Sequence, residues 1–284
     1  MKKLSAIILV LNLILLLSGC ANSNTSSNSK NTIAVSTVPQ ATFVEKVCGD
    51  KFDIVTMIPP GASAESYEPT LKQIEDFEKA DIYFGIGVPS EENSIIPNIK
   101  EETTFVSLHT EVNKIYPDIM IDGERDPHIW LSPKRVSVMI EIIKDTLVSA
   151  DSENKDFYIS NAKKYKEELS LLNKEIKGKF RDIKNRNFIA LHPAFGYFAD
   201  DYSLNMIAIE EHGKEADAKQ IGKIADIAKK ENIKTVFYQA EVSKRQADAF
   251  AEEIGGQAVC LNPLSADYTE NIKKMAESIK KAMN

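Results

Sequence analysis

Residues 152–184 read SENKDFYISNAKKYKEELSLLNKEIKGKFRDIK, and this stretch decides how the rest of the chain is organised. Its apolar residues recur every three or four positions, at Ala162, Tyr165, Leu169, Leu172, Ile176, Phe180 and Ile183. Such spacing places one apolar stripe along an α-helix. No proline interrupts the stretch, and Gly178 is the residue least suited to a helix interior. The pattern predicts one uninterrupted helix of roughly 45 Å.

The segments on either side of this helix decide between a bundle arm, a coiled-coil segment and a strut between two lobes. Short apolar runs alternate with helical patterns on both sides, which is typical of parallel sheets covered by helices. The runs are TIAVSTV (32–38), FDIVTMI (52–58), DIYFGIG (81–87) and TTFVSL (103–108), then NFIAL (187–191), LNMIAI (204–209), IKTVFY (233–238) and QAVCL (257–261). We therefore predict an α/β protein with lobes at 33–152 and 186–284, joined by a rigid linking helix at 153–185.

The first residues of the chain indicate export. MKK is followed by an apolar run, and LSGC (17–20) resembles the lipobox at which bacterial lipoproteins are cleaved and lipidated on cysteine. We predict a signal peptide at 1–20, lipidation of Cys20 and a flexible Ser/Asn-rich tether at 21–32. An ordinary signal peptide or an uncleaved anchor helix are the alternatives. The prediction places the protein outside the cytoplasm, anchored by lipid to the cell membrane.

Composition limits the possible partners. The net charge of −7 and the pI of about 5.3 argue against nucleic acid binding, which requires basic patches. Beyond Cys20 only Cys48 and Cys260 remain. A disulfide is conceivable outside the cell, but two distant cysteines make no framework, and two buried thiols are the preferred interpretation.

Candidate ligands follow the strands, because open parallel sheets bind ligands beyond the carboxyl ends of their strands. Glu65 lies in the loop after 52–58, His192 directly follows 187–191, and Asn262 directly follows 257–261. His128 lies in an irregular stretch before a helix that Ser132 should cap, with Pro133 in its first turn. Two imidazoles with oxygen donors suit a divalent transition metal. Glu65 as a solvated acid and Asn262 as a turn cap are the alternatives.

Four motifs carry a family resemblance. DPHIWLSP (126–133), HPAFGYFA (192–199), the PPGAS and YEPT of 59–70 and the late NPL resemble, in order, motifs of the metal-type solute-binding lipoproteins of bacterial ABC importers. The resemblance implies two α/β lobes joined by a long helix, with a metal between them. It also implies that His128 and His192 are ligands. Glu65 stands where the family has histidine, and Asn262 where it has aspartate, which moves the site toward harder donors.

The predicted function is a receptor that captures Zn²⁺, or else Mn²⁺, as transported cargo and delivers it to an ABC permease and its ATPase. The receptor is expected to be a monomer and not an enzyme. A metallohydrolase, with Glu68 or Glu241 as general base, and a surface adhesin are the alternatives. His109 and His212 receive no role, and Cys260 is expected to be a core thiol rather than a ligand. Because both ligand histidines must be neutral, affinity should fall as the pH drops through about 6.5.

Overall fold

The computed structural model describes residues 30–121, 123–210, 216–241 and 244–283. The predicted signal peptide, Cys20, the tether up to residue 29 and His212 lie outside these ranges. No helix within them is both long enough and apolar enough to cross a membrane. Residues Asn31–Asn284 group into one compact unit, and the division into lobes at 33–152 and 186–284 stays a prediction.

The eight apolar runs form two parallel four-stranded sheets, which confirms the predicted fold class. The strands are β1 (Thr32–Val35), β2 (Asp53–Thr56), β3 (Ile82–Gly85), β4 (Thr104–Ser107), β5 (Met120–Ile121), β6 (Glu124–Arg125), β7 (Asn187–Ala190), β8 (Asn205–Ala208), β9 (Thr235–Gln239) and β10 (Gln257–Leu261). The first sheet has the order β2-β1-β3-β4 and the second β10-β9-β7-β8. The strand order places β1, β3, β7 and β9 in the interior, where their apolar side chains are buried.

Nine α-helices connect and cover the sheets in the described part of the chain. They are α1 (Val38–Cys48), α2 (Leu71–Phe77), α3 (Leu108–Asn113), α4 (Pro133–Ala150), α5 (Lys155–Lys179), α6 (Gly196–Asp201), α7 (Ala218–Glu231), α8 (Lys244–Glu253) and α9 (Tyr268–Ala282). Helix α4 begins as the sequence predicts. The Ser132 hydroxyl accepts the Arg135 backbone N–H at 3.2 Å, and Pro133 occupies the first turn, where its missing N–H costs nothing.

Helix α5 is the predicted linking helix, but it is shorter than expected. Its 25 residues span about 38 Å at 1.5 Å per residue. The helix ends at Lys179, one residue after Gly178, and Phe180 and Ile183 continue the buried stripe from outside it. The apolar pattern therefore predicted the burial of Phe180 and Ile183 correctly, although the helix itself ends near Gly178, a residue that disfavours helix. Its buried face packs against α4, α1 and α9, elements from both halves of the chain.

Direct contacts fix the second half of the chain against the first. The Trp130 indole N–H donates to the Pro263 carbonyl at 2.9 Å, and the Tyr268 hydroxyl donates to the Trp130 carbonyl at 2.8 Å. Both aromatic side chains are buried. The Thr42 hydroxyl on α1 also donates to the Ala266 carbonyl at 2.7 Å. These bonds and the shared core hold the two sheets in one arrangement.

The structure adds one short pair of strands and corrects one expectation. The antiparallel pair β5–β6 precedes the irregular stretch that holds His128, and the Asp126 N–H donates to the Ile119 carbonyl at 2.9 Å. Cys260 is exposed rather than buried, because it lies on β10 at the edge of the second sheet. Cys48 is buried as expected, and neither of the two forms a disulfide.

Candidate metal centre

Glu65, His128 and His192 meet in the crevice between the two sheets. Each offers one ligand atom, and these atoms lie within 4.8 Å of one another. The Glu65 Oε1 atom is 2.9 Å from His192 Nε2 and 3.8 Å from His128 Nε2. Two ligands on one tetrahedral zinc ion lie roughly 3.3 Å apart, given metal bonds of about 2.0–2.1 Å. The two Glu65 distances each differ from this spacing by about half an ångström, so small shifts would let the three atoms share one ion.

His192 is placed by the second sheet. It follows β7 and is held by Glu210, which follows the neighbouring strand β8. The His192 Nδ1 atom lies 2.8 Å from Glu210 Oε2, and the Glu210 N–H donates to the Leu191 carbonyl at 2.9 Å. Because parallel strands end at the same edge, both side chains reach the crevice. Glu210 occupies Nδ1, which leaves Nε2 facing Glu65.

His128 is placed by its own segment. The Asp126 Oδ1 atom accepts the His128 backbone N–H at 2.9 Å and lies 2.8 Å from His128 Nδ1. The Asp126 side chain is fully buried. Gly196 makes room for it, since a Cβ there would lie 2.3 Å from Asp126 Oδ2. The aspartate orients the imidazole so that Nε2 points at Glu65, as carboxylates do behind metal-binding histidines.

Glu65 approaches from the first sheet, on the loop between β2 and α2. Its backbone N–H donates to the Ser63 hydroxyl at 3.2 Å, and its side chain is about one-third exposed. Burial would raise the pKa of the Glu65 carboxyl, but the hydrogen bond from His192 and the nearby imidazoles lower it overall. The carboxylate is therefore ionised at neutral pH and ready to meet a cation.

The protonation of His192 differs from the sequence expectation. Burial alone would lower its pKa, but the hydrogen bonds to Glu210 and Glu65 outweigh burial and raise the pKa to about 9. His192 therefore carries a proton at neutral pH in the metal-free protein, and both ring N–H groups donate to carboxylates. The pH window for metal binding is thus set near 9 by this histidine, not at the unperturbed value of about 6.5.

Asn262 does not join the cluster. It is exposed, and its side-chain Oδ1 accepts the Leu264 N–H at 3.0 Å. Its own carbonyl accepts from the Asn271 amide at 2.6 Å. This geometry is that of the turn cap, the alternative drawn from the sequence. Asn262 as a metal ligand stays a prediction, and it would require the side chain to leave its turn.

Two cavities meet at the cluster, and Glu65, His128 and His192 line both. One, of about 260 Å³, extends along the strand ends of the second sheet to Glu210 and Glu241. The other, of about 350 Å³, opens past residues of the first half of the chain, including Glu92, Asn93, Glu124 and Arg125. An ion at the cluster can therefore be reached from one side while its ligands are supported from the other.

His109 and Glu68 lie outside the cluster, whereas two acids that the sequence did not single out support it. His109 lies outside the cluster, 3.1 Å from the Ser107 hydroxyl, and Glu68 is exposed. The two orienting acids, Asp126 and Glu210, were not among the residues predicted from the sequence. Asp126 stands two residues before His128, and Glu210 follows a predicted strand, so the strand-end argument that found His192 applied equally to it.

The chain has two parallel sheets covered by helices and a long helix packed against both halves. Two imidazoles and a carboxylate meet in the crevice. These features define the class of solute-binding proteins that bind metal ions. Comparison with known proteins names the family. Residues 33–282 match the family described as ZnuA, zinc-uptake complex component A, periplasmic. The chain belongs to this family, as the sequence motifs indicated, and the protein is extracytoplasmic.

Individual relatives agree with the family assignment. The high-affinity zinc uptake system protein ZnuA of Bacillus subtilis (strain 168) is 28% identical over 284 residues, covering 93% of this chain and 89% of that protein. A crystal structure of ZnuA is 31% identical, with a TM-score of 0.84, and covers 90% of this chain and 100% of that one. A zinc-bound ZnuA deletion mutant, also 31% identical, gives a TM-score of 0.83 with coverage of 90% and 98%.

Proposed function

We propose that this protein is the receptor of an ABC importer that binds one Zn²⁺ between its two sheets and delivers it to a membrane permease. One observation carries the proposal. The Nε2 atoms of His128 and His192 converge on one oxygen of Glu65, while a carboxylate holds each Nδ1. Carboxylate–histidine–metal chains of this kind fix the imidazole orientation and strengthen it as a ligand.

The donor set favours a divalent transition metal. Two imidazoles suit zinc, while the carboxylate in place of a third imidazole also suits manganese. When the ion binds, it replaces the proton that His192 shares with Glu65, and His192 gives up that proton to solvent. Glu65 then neutralises part of the ionic charge. Zn²⁺ is the proposed cargo and Mn²⁺ the alternative.

The two cavities support a route for the cargo. The wider cavity carries Glu92 and Glu124 near its lining, and acidic groups raise the local concentration of cations. Because the ligands come from both halves of the chain, a permease that docks on both halves can separate Glu65 from His192. We propose that this separation releases the ion, and that the receptor acts as a monomer.

Metal titration of the purified protein tests the proposal. Native mass spectrometry should find one Zn²⁺ per chain, and competition with Mn²⁺ should rank the two ions. The His128→Ala/His192→Ala double variant should bind no zinc at concentrations that saturate the wild type. His109→Ala is the matched control, because this histidine lies outside the cluster, and it should bind as the wild type does. Equal binding by the double variant would refute the site.

Membrane attachment through Cys20 is a separate proposal supported by the LSGC sequence and the polar stretch after it. Fractionated cells should show the wild type with the membrane and Cys20→Ala as soluble material. A Cys20→Ala protein that stays entirely with the membrane after a high-salt wash would contradict lipid anchoring. The adhesin and metallohydrolase alternatives stay predictions, since no contact of the described residues favours them.

A further inference from the structure

Glu241 lies at the same sheet edge as the ligand His192. It follows β9, which pairs directly with β7, the strand that leads into His192. Glu241 also lines the cavity of about 260 Å³ that the three ligand residues share. The first sheet supplies Glu65 to this cavity, so Glu241 faces the cluster from the second sheet.

One oxygen of Glu241 is buried without a hydrogen-bond partner in the described part of the chain. Three glutamates line this cavity, and the other two, Glu65 and Glu210, both contact His192. A buried carboxylate oxygen is costly unless it is hydrogen-bonded or bound to a metal. Glu241 is thus the acid in this cavity whose oxygen still needs a partner.

The electrostatics agree with this placement. Burial raises the pKa of the Glu241 carboxyl, while its own backbone N–H and His128 act in the opposite direction. His128 is therefore close enough to influence this carboxylate. Among the described residues, no lysine or arginine lines the cavity, and the charged His192 already pairs with Glu65 and Glu210. A bound cation is therefore the charge that would balance Glu241.

The coordination number leaves one position to fill. Zinc in proteins is generally four-coordinate, and Glu65, His128 and His192 supply three atoms. Asn262, the fourth ligand expected from the sequence, is exposed, and its side-chain oxygen accepts the Leu264 N–H. We infer that Glu241 is the fourth ligand of the transported ion, an inference that rests on the proposed function. Two carboxylates then match the double positive charge of the cargo.

This ligand set also has a consequence for metal preference. Carboxylates suit manganese better than imidazoles do, whereas zinc accepts both. Removing the Glu241 carboxylate should therefore weaken Mn²⁺ binding by a larger factor than Zn²⁺ binding. A structural role for Glu241 would affect both ions equally.

Titrations of Glu241→Gln and Glu241→Ala with both ions test the inference, with the full chain in each case. Zinc affinity should fall roughly 100-fold in both variants. This loss equals the upper end of the range seen when residues behind metal ligands are replaced. Glu68→Gln is the matched control, because Glu68 is exposed and lines neither cavity. It should leave both affinities unchanged, and circular dichroism should show that all variants fold.

A structure of the zinc-loaded wild type gives the direct readout. A Glu241 oxygen should lie about 2.0–2.2 Å from the zinc. A water in that position, with Glu241 turned away and Glu241→Gln binding as tightly as Glu68→Gln, would overturn the inference while leaving the receptor function intact. If the wild type itself bound neither ion, the proposed function would fail first and this inference with it.

Discussion

The two histidines of the centre are held in contrasting ways. His128 is held by Asp126, two residues away in the chain and fully buried. His192 is held by Glu210 and Glu65, which are 18 and 127 residues away in sequence. The first arrangement is set by one short segment, while the second exists only when both sheets are in place. The first therefore acts as a fixed ligand, and the second as a charged, exchangeable one whose proton the metal must displace.

The largest effect should follow the loss of a histidine ligand. His128→Ala and His192→Ala should each weaken zinc binding by more than about 100-fold, beyond the range for residues that only orient ligands. At pH 7 His128→Ala should cost more, because removing His192 also removes the proton that zinc must displace. Calorimetric competition titrations at pH 7 and pH 9 check this. A greater loss of zinc affinity in His192→Ala than in His128→Ala at pH 7 would contradict the idea that His128 is the fixed ligand and His192 the protonated one.

Zinc affinity should depend on pH next most strongly. The pKa of His192 is raised to about 9, so below pH 9 its proton competes with the metal and affinity falls as the pH drops. The fall should approach tenfold per pH unit for each proton released. Calorimetry in buffers of different ionisation enthalpy counts the protons released. A flat profile between pH 7 and pH 9 would show that His192 is already neutral there.

Glu65 should matter less than either histidine but more than the orienting acids. Glu65→Ala should weaken binding by some tens-fold, a factor of the order seen when groups around a metal are replaced. Glu65→His should restore a third imidazole and shift preference from Mn²⁺ toward Zn²⁺. Titrations of both variants with both ions provide the measurement, with Glu68→Ala as the control. Unchanged affinity in Glu65→Ala would make the carboxylate a bystander.

The two orienting acids should differ from each other. Asp126→Ala and Glu210→Ala should each cost about tenfold in zinc affinity, the lower end of the range for residues behind metal ligands. Asp126→Ala should also lower the melting temperature, because it leaves buried donors on His128 unpaired at a cost of about 1–3 kcal/mol. Glu210 is slightly exposed, so water can replace it, and its loss eases the proton competition at His192. Thermal unfolding gives the melting temperatures of the two variants, and zinc titration gives their affinities. Equal losses of melting temperature and of affinity in both variants would contradict the difference between the two acids.

The smallest effect concerns overall shape. Metal binding should leave the radius of gyration nearly unchanged, because Trp130 bonds to Pro263 and Tyr268 across the two halves and α5 packs on both. Closure should be confined to the loops of Glu65, His128 and His192. Small-angle scattering with and without zinc tests this. A large decrease on zinc addition would mean that the halves move as bodies.

The sequence alone determined the framework and the core of the site. All eight main strands, the buried stripe of α5 and the Ser132 cap followed from periodicity and from capping residues, which are local signals. Glu65, His128 and His192 were also found in this way, because side chains that follow parallel strands share one edge, and because the motifs resembled a known family. The structure brings these three together.

Tertiary structure alone decided what surrounds them. Cys260 is exposed because β10 lies at a sheet edge, and strand order cannot be read from the composition of a strand. The side-chain oxygen of Asn262 accepts a hydrogen bond within a turn. Glu210 reaches His192 because β8 lies beside β7. The proton on His192 likewise depends on two acids that are distant in sequence. A side chain's partners and charge depend on what packs against it, and that is settled only when distant segments meet.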